Sequence, residues 1–538
     1  MRNKIIALAV ITCLGLLLYG SCKRNDDATK INPLASAGKL ANWTSGSTIV
    51  NGTYGITSVS SNYVMSFVPN GTNPQLMVQS TYNLLNNDQR YTVTSLGSGL
   101  YKLINVATGK ALAAYNTATG WQLQLMPYSS TDTKQQWKIT YIAASGSTSA
   151  GYQLVNEANT ALCATSASTS NYAQILNNTI LTSSANTQRW NFGQVAYQDS
   201  TVTSFFQRTS GSEAFDGNFS VPLVNGQVVW FTNDVYYNQL SGSLLTSCSF
   251  PYHNSVMIQP SAQNWTASST TNWTASGDPN VPTGSPQLFW DLDTARYIWP
   301  GAGIQIGNYV YAYCNEVQNV SGGFEVTGAY LANLNLTTHQ VNYQSLPALD
   351  SINFGIGMIK NANYVYVYGY KNAALGANVY VARFDTTATA TWKFYAGGST
   401  WSTSASSAVS IGQAASAGAD VQQIDGKYVM VSTGFNTNTG CDTVTQIFAN
   451  LSTSLTGPFS ALKVIYNIPD RLSGYTPYFY TPIIEPQATI TGSNEFLFTY
   501  CINSYQKCVA TCNSNKLDPN VYRPRGVRVP YSVVSTSL

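Results

Sequence analysis

Three short stretches decide the fold of the first part of the chain: Gln89-Arg90-Tyr91, Gln135-Gln136-Trp137 and Gln188-Arg189-Trp190. Similar text precedes the second and third stretches, with Leu103-Ile104-Asn105 in one copy and Leu154-Val155-Asn156 in the next. A period of roughly 45 to 50 residues that occurs three times indicates a repeat architecture. We therefore predict one repeat domain over residues 42–196.

These repeats resemble the ricin-type β-trefoil, in which a Gln-x-Trp signature closes each copy. The resemblance implies that the Gln and Trp side chains mostly build a shared core. It also implies a sugar-binding Asp in each repeat, and at that position this chain has Met65, Ala113 and Cys163. The remaining prediction for a sugar site in this domain is a stacking and amide site in the second repeat, formed by Tyr115, Asn116 and Trp121. The alternative is that the domain is a structural spacer.

The repeating pattern of the sequence changes after a polar stretch at residues 197–204, which we interpret as a linker. From residue 205 to 532, an apolar strand, a turn and an aromatic strand recur. The five predicted hairpins are Phe219–Leu223 with Val228–Phe231, Tyr297–Ile306 with Tyr309–Tyr313, Ile356–Ile359 with Tyr364–Tyr368, Val421–Ile424 with Tyr428–Val431, and Ile483–Ile490 with Phe496–Tyr500. Five such hairpins without a helical period predict a five-bladed β-propeller. A β-sandwich with irregular insertions is the alternative.

Composition agrees with an all-β extracellular protein. Only 9% of the residues are charged, whereas the 538-residue chain holds 36 Tyr and 41 Gly. Aromatic and β-branched runs separated by turn-forming residues are typical of strands. The net charge of +3 is near balance, and there is no basic stripe, so nucleic acid is not a predicted partner.

The first residues predict export and lipid anchoring. Arg2 and Lys4 precede an apolar run at residues 5–18, which is too short to span a bilayer comfortably and indicates a signal peptide over residues 1–21. The following Leu18-Tyr19-Gly20-Ser21-Cys22 resembles a bacterial lipobox, which implies lipidation of Cys22 and a surface tether over residues 22–41. The stretch after Cys22 resembles the charged tag of surface-exposed lipoproteins of Bacteroidetes-type bacteria, which implies the outer membrane. An uncleaved membrane anchor is the alternative.

The cysteines favour one disulfide rather than a metal site. Cys501, Cys508 and Cys512 cluster near the C-terminus, where one local disulfide is predicted in an oxidising compartment. Zinc is disfavoured because the chain holds only His253 and His339 and lacks paired C-x-x-C steps. We predict neither a metal nor a cofactor.

Five carboxyl groups are expected at one end of the propeller. A tight hairpin brings both of its ends to the same edge. The carboxyl groups that this geometry is expected to gather around one funnel are those of Asp216, Asp234, Glu316, Asp420 and Glu485. Glycoside hydrolysis needs a carboxylic acid and a second carboxylate, and crowded carboxylates have pKa values that move apart. Taken singly, an Asp beside a turn more often caps backbone amides.

Side chains near these carboxyl groups are candidates for sugar binding. Trp299, Tyr252 and Trp230 are expected to stack on sugar faces. His253 and Asn254 are expected to bind hydroxyl groups, and Glu316 and Asp420 are further candidates for contacts with substrate.

The second domain also resembles a known group of proteins. Asp216-Gly217-Asn218-Phe219, Trp230-Phe231-Thr232-Asn233-Asp234 and Trp299-Pro300-Gly301-Ala302-Gly303 are similar to motifs of a bacterial five-bladed propeller group that was first catalogued as a domain of unknown function. Some members hydrolyse D-arabinan. The resemblance implies that Asp216 and Asp234 lie in an active-site funnel. This chain departs from the group at Asn233-Asp234-Val235, and at Glu485, near which related propellers often carry a His.

The sequence therefore favours a surface glycoside hydrolase that acts on a polysaccharide, and the resemblance implies arabinan-like furanosides as its substrate. Asp216 is the predicted base or nucleophile, and Glu485 or Asp234 the acid or the group that tunes the pKa. The alternatives are a non-catalytic glycan-binding protein and a structural or adhesive surface protein.

Overall fold

The computed structural model describes residues 48–538, except 69–74, 83–86, 119, 182–185, 322, 435–445, 473, 475, 491–492, 504–511 and 536–537. The predicted signal peptide (1–21), the predicted lipidation site Cys22 and the predicted tether (22–41) lie outside the described residues. Among the helices that are described, none combines the length and the apolar character needed to cross a bilayer.

The first domain is a β-trefoil. Its described strands are β1 (Gly52–Ser58), β2 (Val64–Phe67), β3 (Gln75–Ser80), β4 (Arg90–Gly97), β5 (Leu100–Asn105), β6 (Ala111–Thr117), β7 (Gly120–Met126), β8 (Trp137–Ile142), β9 (Gly151–Asn156), β10 (Leu162–Ser166), β11 (Ile175–Thr179) and β12 (Trp190–Gly193). Antiparallel pairing runs β1–β4–β5–β8–β9–β12 and returns to β1, which closes a six-stranded barrel. The hairpins β2–β3, β6–β7 and β10–β11 complete the three repeats.

The repeated Gln-x-Trp stretches form the trefoil core. Trp137 and Trp190 are fully buried, and their indole N–H groups donate to the backbone oxygens of Leu112 (2.8 Å) and Ala164 (2.9 Å). Each preceding Gln ends a short 3-10 turn (Asn87–Gln89, Thr133–Gln135 and Asn186–Gln188) and is buried. These buried side chains satisfy backbone groups of the neighbouring loops, so the signature residues act in packing.

The second domain is a five-bladed β-propeller. Its described elements, in chain order, are β13 (Tyr197–Asp199), α1 (Ser200–Phe205), β14 (Ser212–Phe215), β15 (Phe219–Pro222), β16 (Val228–Thr232), β17 (Val235–Tyr237), β18 (Leu240–Ser241), β19 (Leu244–Leu245), β20 (Ser255–Gln259), β21 (Thr271–Trp273), β22 (Arg296–Ile306), β23 (Tyr309–Val320), β24 (Gly323–Asn335), β25 (Val341–Ser345), β26 (Asn353–Asn361), β27 (Tyr364–Asn372), β28 (Ala377–Asp385), β29 (Ala388–Tyr395), β30 (Trp401–Ser402), β31 (Gly412–Ala414), β32 (Ala419–Ile424), β33 (Lys427–Thr433), β34 (Gln446–Ser452), β35 (Lys463–Asn467), β36 (Tyr478–Ile484), β37 (Glu495–Asn503), β38 (Arg525–Pro530) and α2 (Tyr531–Val534). Further 3-10 turns span Ala267–Ser269, Ala405–Ser407, Pro486–Ala488 and Pro519–Tyr522.

The blades follow one another along the chain. Their strand orders are β15–β16–β20–β21, β22–β23–β24–β25, β26–β27–β28–β29–β30 with β31 on β28, β32–β33–β34–β35, and β36–β37–β38–β13. A separate apolar cluster joins each pair of neighbouring blades, and the cluster around Trp230 and Leu497 joins the first blade to the fifth. Burial of apolar side chains between blades therefore continues around the whole ring.

Two sequence predictions for the propeller need correction. The predicted linker at residues 197–204 instead holds β13, which pairs antiparallel with β38 and completes the fifth blade, and most of α1. The first strand of the fifth hairpin is Tyr478–Ile484 rather than Ile483–Ile490. A register shift between Tyr480 and Ile483, with Thr481 at a φ of 49°, breaks the alternation that marks a strand in a sequence.

The disulfide also differs from the predicted local bridge. Cys512 pairs with Cys248, which lies 264 residues away in the chain. Cys501 is a buried thiol whose Sγ lies 2.8 Å from the Oδ1 atom of Asn218, and Cys508 lies outside the described residues. The bridge joins the segment between β19 and β20 to the segment between β37 and β38, because the ring brings the two ends of the propeller together.

Candidate active site

Backbone pairing in the first blade sets Asp216 beside Asp234. Asp216 lies between β14 and β15, and Asp234 lies between β16 and β17, which pair with β15 and β14 respectively. The Asn233 N–H donates to the Asp216 carbonyl oxygen at 2.8 Å, and the Asp216 N–H donates to that of Asp234 at 3.4 Å. The two strand pairs therefore fix both carboxyl groups at one end of the blade, as the hairpin geometry predicts.

Gly217 makes this close approach sterically feasible. Its φ is +64°, in the left-handed region that side chains with a Cβ rarely adopt. A Cβ atom added at Gly217 would lie 2.4 Å from the side-chain amide nitrogen (Nδ2) of Asn233. The Asp-Gly pair is thus required for the backbone to pass Asn233 here.

The Asp216 carboxyl group has a raised pKa. Its Oδ2 atom accepts a hydrogen bond from the Tyr480 hydroxyl at 2.7 Å, while its buried Oδ1 atom has no hydrogen-bond partner among the described residues. Burial, together with the negative charge of Asp234, raises the pKa of Asp216 to about 7, and hydrogen bonds from Tyr480 and Tyr522 oppose this shift. Asp216 is therefore able to hold a proton near neutral pH.

Asp234 has different surroundings. Its Oδ1 atom lies 2.9 Å from His253 Nδ1 and accepts the Trp299 indole N–H at 3.2 Å. The His253 ring stacks on Tyr297, with ring centroids 3.9 Å apart. The side chains of Asp234 and His253 are 12% and 31% exposed, so a ligand in solvent can reach them. The site thus joins one carboxyl group with a raised pKa to a second that accepts two N–H groups.

Glu485 and Asp420 do not join this pair, which corrects the expectation of five carboxyl groups around one funnel. Both side chains are fully buried. Glu485 follows β36, five residues beyond Tyr480, and hydrogen-bonds with Ser220, Gln487 and Thr499. Burial raises its pKa to about 7. The prediction placed Glu485 early in a strand, whereas it follows the strand's last residue, deeper between the first and fifth blades.

Asp420 lies in the innermost strand of the fourth blade. Its Oδ2 atom accepts the Ile484 N–H at 2.9 Å, and its Oδ1 atom accepts the Gln422 amide at 3.3 Å. Burial raises its pKa to about 8, and the charge of Glu485 acts in the same direction. Asp420 and Glu485 are neighbours in the propeller interior without contact with solvent.

Glu316 and Asn254, both predicted to bind substrate, are instead occupied by protein contacts. Glu316 is buried and forms an ion pair with Arg296 at 2.6 Å, and it also accepts hydrogen bonds from Thr327 and Tyr330. Asn254 is fully buried, and its amide donates to the carbonyl oxygens of Phe289 and Ile298. The hairpin pattern predicts at which end of a strand a side chain lies, but it does not predict which protein groups that side chain contacts.

Some aromatic roles also differ from the predictions. Trp230 is fully buried, with its indole N–H bonded to Gln259 at 2.9 Å, so it belongs to the core and does not stack on a sugar. Sequence reasoning missed Tyr480, Tyr522 and Tyr297, which surround the carboxyl pair. A tyrosine-rich sequence gives no signal for which hydroxyl meets a carboxylate.

The predicted trefoil site lies on the β6–β7 hairpin. Asn116 and Trp121 are paired residues of this hairpin, and Asn116 is exposed. The Tyr115 hydroxyl donates to Asp132 Oδ2 at 3.3 Å, and the Lys134 ammonium group lies 4.7 Å from the Tyr115 ring centroid. Asp132, which the sequence analysis did not single out, thus supplies a carboxylate beside the predicted ring.

Metal ligands do not gather in the parts of the chain that are described. Within those ranges, no three His, Cys, Asp or Glu side chains are grouped as they would be around a metal ion.

Comparison with known proteins gives the family. Residues 199–531 match the family described as Domain of unknown function (DUF5005), and residues 41–126 and 87–178 match the Ricin-type beta-trefoil lectin domain-like family. Because the first match covers more than half of the chain, the chain belongs to the DUF5005 family. A comparison with curated proteins found no match.

Several solved structures are similar to parts of this chain. One is described as "a putative hydrolase from Bacteroides ovatus ATCC 8483", at 20% identity and a TM-score of 0.50, covering 62% of this chain and 90% of that one. The designed three-fold symmetric protein ThreeFoil matches at 23% identity and a TM-score of 0.24, covering 27% of this chain and 100% of that one. The Macrolepiota procera ricin B-like lectin in complex with lactose matches at 17% identity and a TM-score of 0.22, covering 28% and 99%.

Proposed function

We propose that the propeller hydrolyses glycosidic bonds of a polysaccharide, with arabinan-like furanosides as its substrate. The observation that carries the proposal is the pairing of Asp216 and Asp234 at one end of the first blade, with the pKa of Asp216 raised to about 7. Glycosidases use two carboxyl groups, of which one stays protonated while the other is ionised. Similarity to the Bacteroides ovatus structure supports the shared fold.

The surroundings of the two groups suggest their roles. Asp216 is the proton donor to the leaving oxygen, because burial and the charge of Asp234 favour its protonated form. Asp234 is the nucleophile or base, with His253 and Trp299 holding its orientation. This assignment exchanges the role that the sequence analysis gave to Asp216, because a raised pKa suits an acid better than a nucleophile. Glu485 helps to raise the pKa of Asp420 in the propeller interior and does not contact substrate.

The proposal includes the other two segments of the chain. The trefoil binds glycan through the Tyr115, Asn116 and Trp121 surface, to which Asp132 adds a carboxylate. Lipid attached to Cys22 holds the protein on the outer membrane, exposed at the cell surface. The first statement is supported by the lectin-like family of the trefoil, and the second rests on the sequence alone.

The test is release of reducing sugar from arabinans, arabinogalactans and xylans by the full chain in detergent, beside its Asp216→Asn variant. We expect release from arabinan by the unaltered protein and at least a hundredfold loss in the variant, since general acid catalysis contributes roughly 10² to 10⁴ in rate. Asp350→Asn is the matched control, because the Asp350 side chain is 49% exposed and pairs with Lys371 at the surface.

The pH profile tests the role of Asp216 separately. A proton donor whose pKa is raised to about 7 makes kcat/KM fall as pH rises through 7. Binding to a polymer without release from any of the three would refute hydrolysis and support glycan capture. Neither binding nor release would refute both.

A further inference from the structure

A row of aromatic rings leads away from Asp234 along the second blade. The His253 ring stacks on Tyr297, Tyr297 meets Trp299 edge to face at 5.6 Å, and Trp299 meets Phe324 edge to face at 4.6 Å between centroids. His253 and Trp299 also contact the Asp234 carboxylate. The row is thus continuous with the candidate active site.

Phe324 lies on a hairpin whose strands are much longer than the second and third strands of the first blade. Strands β23 and β24 have 12 and 13 residues, whereas β16 and β20 have 5 each. Pairing of β22 with β23 ends at Gln318, so Asn319 and Val320 pair only across the hairpin, with Phe324 and Gly323. At about 3.3 Å per residue, the end of the hairpin therefore extends beyond β22, the first strand of this sheet, by two residue pairs.

The end of this hairpin exposes apolar side chains. Phe324 and Val326, which share one face of β24, are 57% and 46% exposed, and Val320 is 40% exposed on the opposite face. Phe324 is exposed beside a polar site, and an aromatic ring fixed at its edge by another ring is well suited to flat apolar faces. The C–H face of a sugar ring is such a surface.

We propose that the β23–β24 hairpin is a substrate-binding wall and that Phe324 stacks on a sugar unit beyond the one held at Asp216 and Asp234. Trp299 contacts Asp234 through its indole N–H and Phe324 through its ring, so a polysaccharide chain that reaches from Asp234 to Phe324 lies along Trp299. The site therefore takes an extended polysaccharide chain rather than a single terminal sugar. This inference rests on the proposed function, since it assigns a ligand to the same site.

The test compares a polymer with a one-sugar substrate. Phe324→Ala is expected to raise KM for arabinan about three- to tenfold, which is the range of one aromatic contact. It should leave kcat/KM for 4-nitrophenyl α-L-arabinofuranoside within twofold, because this substrate ends before Phe324. Tyr309→Ala is the matched control, since Tyr309 is 37% exposed at the opposite end of the same β23 strand and should change neither value.

Retardation of the protein in gels that contain arabinan, arabinogalactan or xylan separates the two proposals. Retardation that Phe324→Ala weakens and Tyr309→Ala does not supports the wall even if no polymer is hydrolysed. Equal KM for arabinan in Phe324→Ala and the unaltered protein overturns the wall while leaving hydrolysis intact. Equal losses on polymer and one-sugar substrate also overturn it, and absence of both retardation and release refutes both proposals.

Discussion

Replacing Asp420 with Asn should flatten the pH dependence of stability. Asp420 is fully buried, and its pKa is raised from 3.8 to about 8 by burial, aided by the charge of Glu485. Between these two values the folded protein keeps a proton that the unfolded chain has lost. The free energy of unfolding therefore falls as pH rises, with the Asp420 contribution complete below pH 3.8 and lost as pH passes 8.

The size of the effect follows from the pKa difference. At about 1.36 kcal/mol per pKa unit, the interval from pH 5 to pH 8 corresponds to roughly 3 to 4 kcal/mol of lost unfolding free energy. Asn has no proton to lose, and its side-chain oxygen can still accept the Ile484 N–H. The variant should therefore lose less stability over this interval and should exceed the unaltered protein at pH 8.

The assay is urea unfolding at pH 5, 6, 7 and 8, followed by tryptophan fluorescence. The Glu485 carboxyl group, whose pKa is raised to about 7, remains in the variant and leaves a residual slope of the same sign. Asp350→Asn removes an exposed carboxylate and should give the same pH dependence as the unaltered protein. Stability curves that run parallel for Asp420→Asn and the unaltered protein would refute the reasoning.

Four other outcomes are expected. Cys512→Ser should lower the free energy of unfolding by about 2 to 5 kcal/mol, because it opens a loop closed over 264 residues; addition of reductant to the variant should then change its urea midpoint little. Gly217→Ala should destabilise the first blade by at least about 1 kcal/mol and reduce sugar release, whereas an unchanged melting temperature would contradict the contact with Asn233. Trp190→Ala should cost about 3 to 5 kcal/mol in trefoil stability, measured by calorimetry, because a fully buried ring is removed. Cys22→Ser should abolish labelling by radioactive palmitate and move the protein to the aqueous phase of a detergent partition; continued labelling would exclude Cys22 as the acylated residue.

The sequence predicts the repeated motifs and local hairpins well, and it predicts contacts between residues far apart in the chain poorly. The Gln-x-Trp copies indicate the trefoil because the corresponding side chains make the same core contacts in each copy. Trp137 and Trp190, for example, both donate their indole N–H groups to a backbone oxygen. The first four hairpins can be predicted because apolar and other side chains alternate along their strands without interruption near the turn. The fifth is misplaced because the irregularity at Tyr480 and Thr481 interrupts the alternation.

The candidate site shows the same limit. Asp216 and Asp234 follow from one hairpin, so local geometry brings them together. The position of Glu485 depends instead on contact between the first and fifth blades, through Ser220. The Arg296 partner of Glu316 could not be distinguished from the other charged residues of the chain before the register of β22 and β23 was known.

The strand that seals the propeller ring has a mechanical consequence. Only residues 194–196 separate the last trefoil strand, β12, from β13, which pairs with β38 through Tyr197, Gln198 and Asp199. A pull on the N-terminal side of the chain that detaches the trefoil therefore loads this three-residue strand first, reinforced by the Asp199–Arg528 ion pair at 2.9 Å. Under tension, the ring would open at its seam before any blade loses its own central strands.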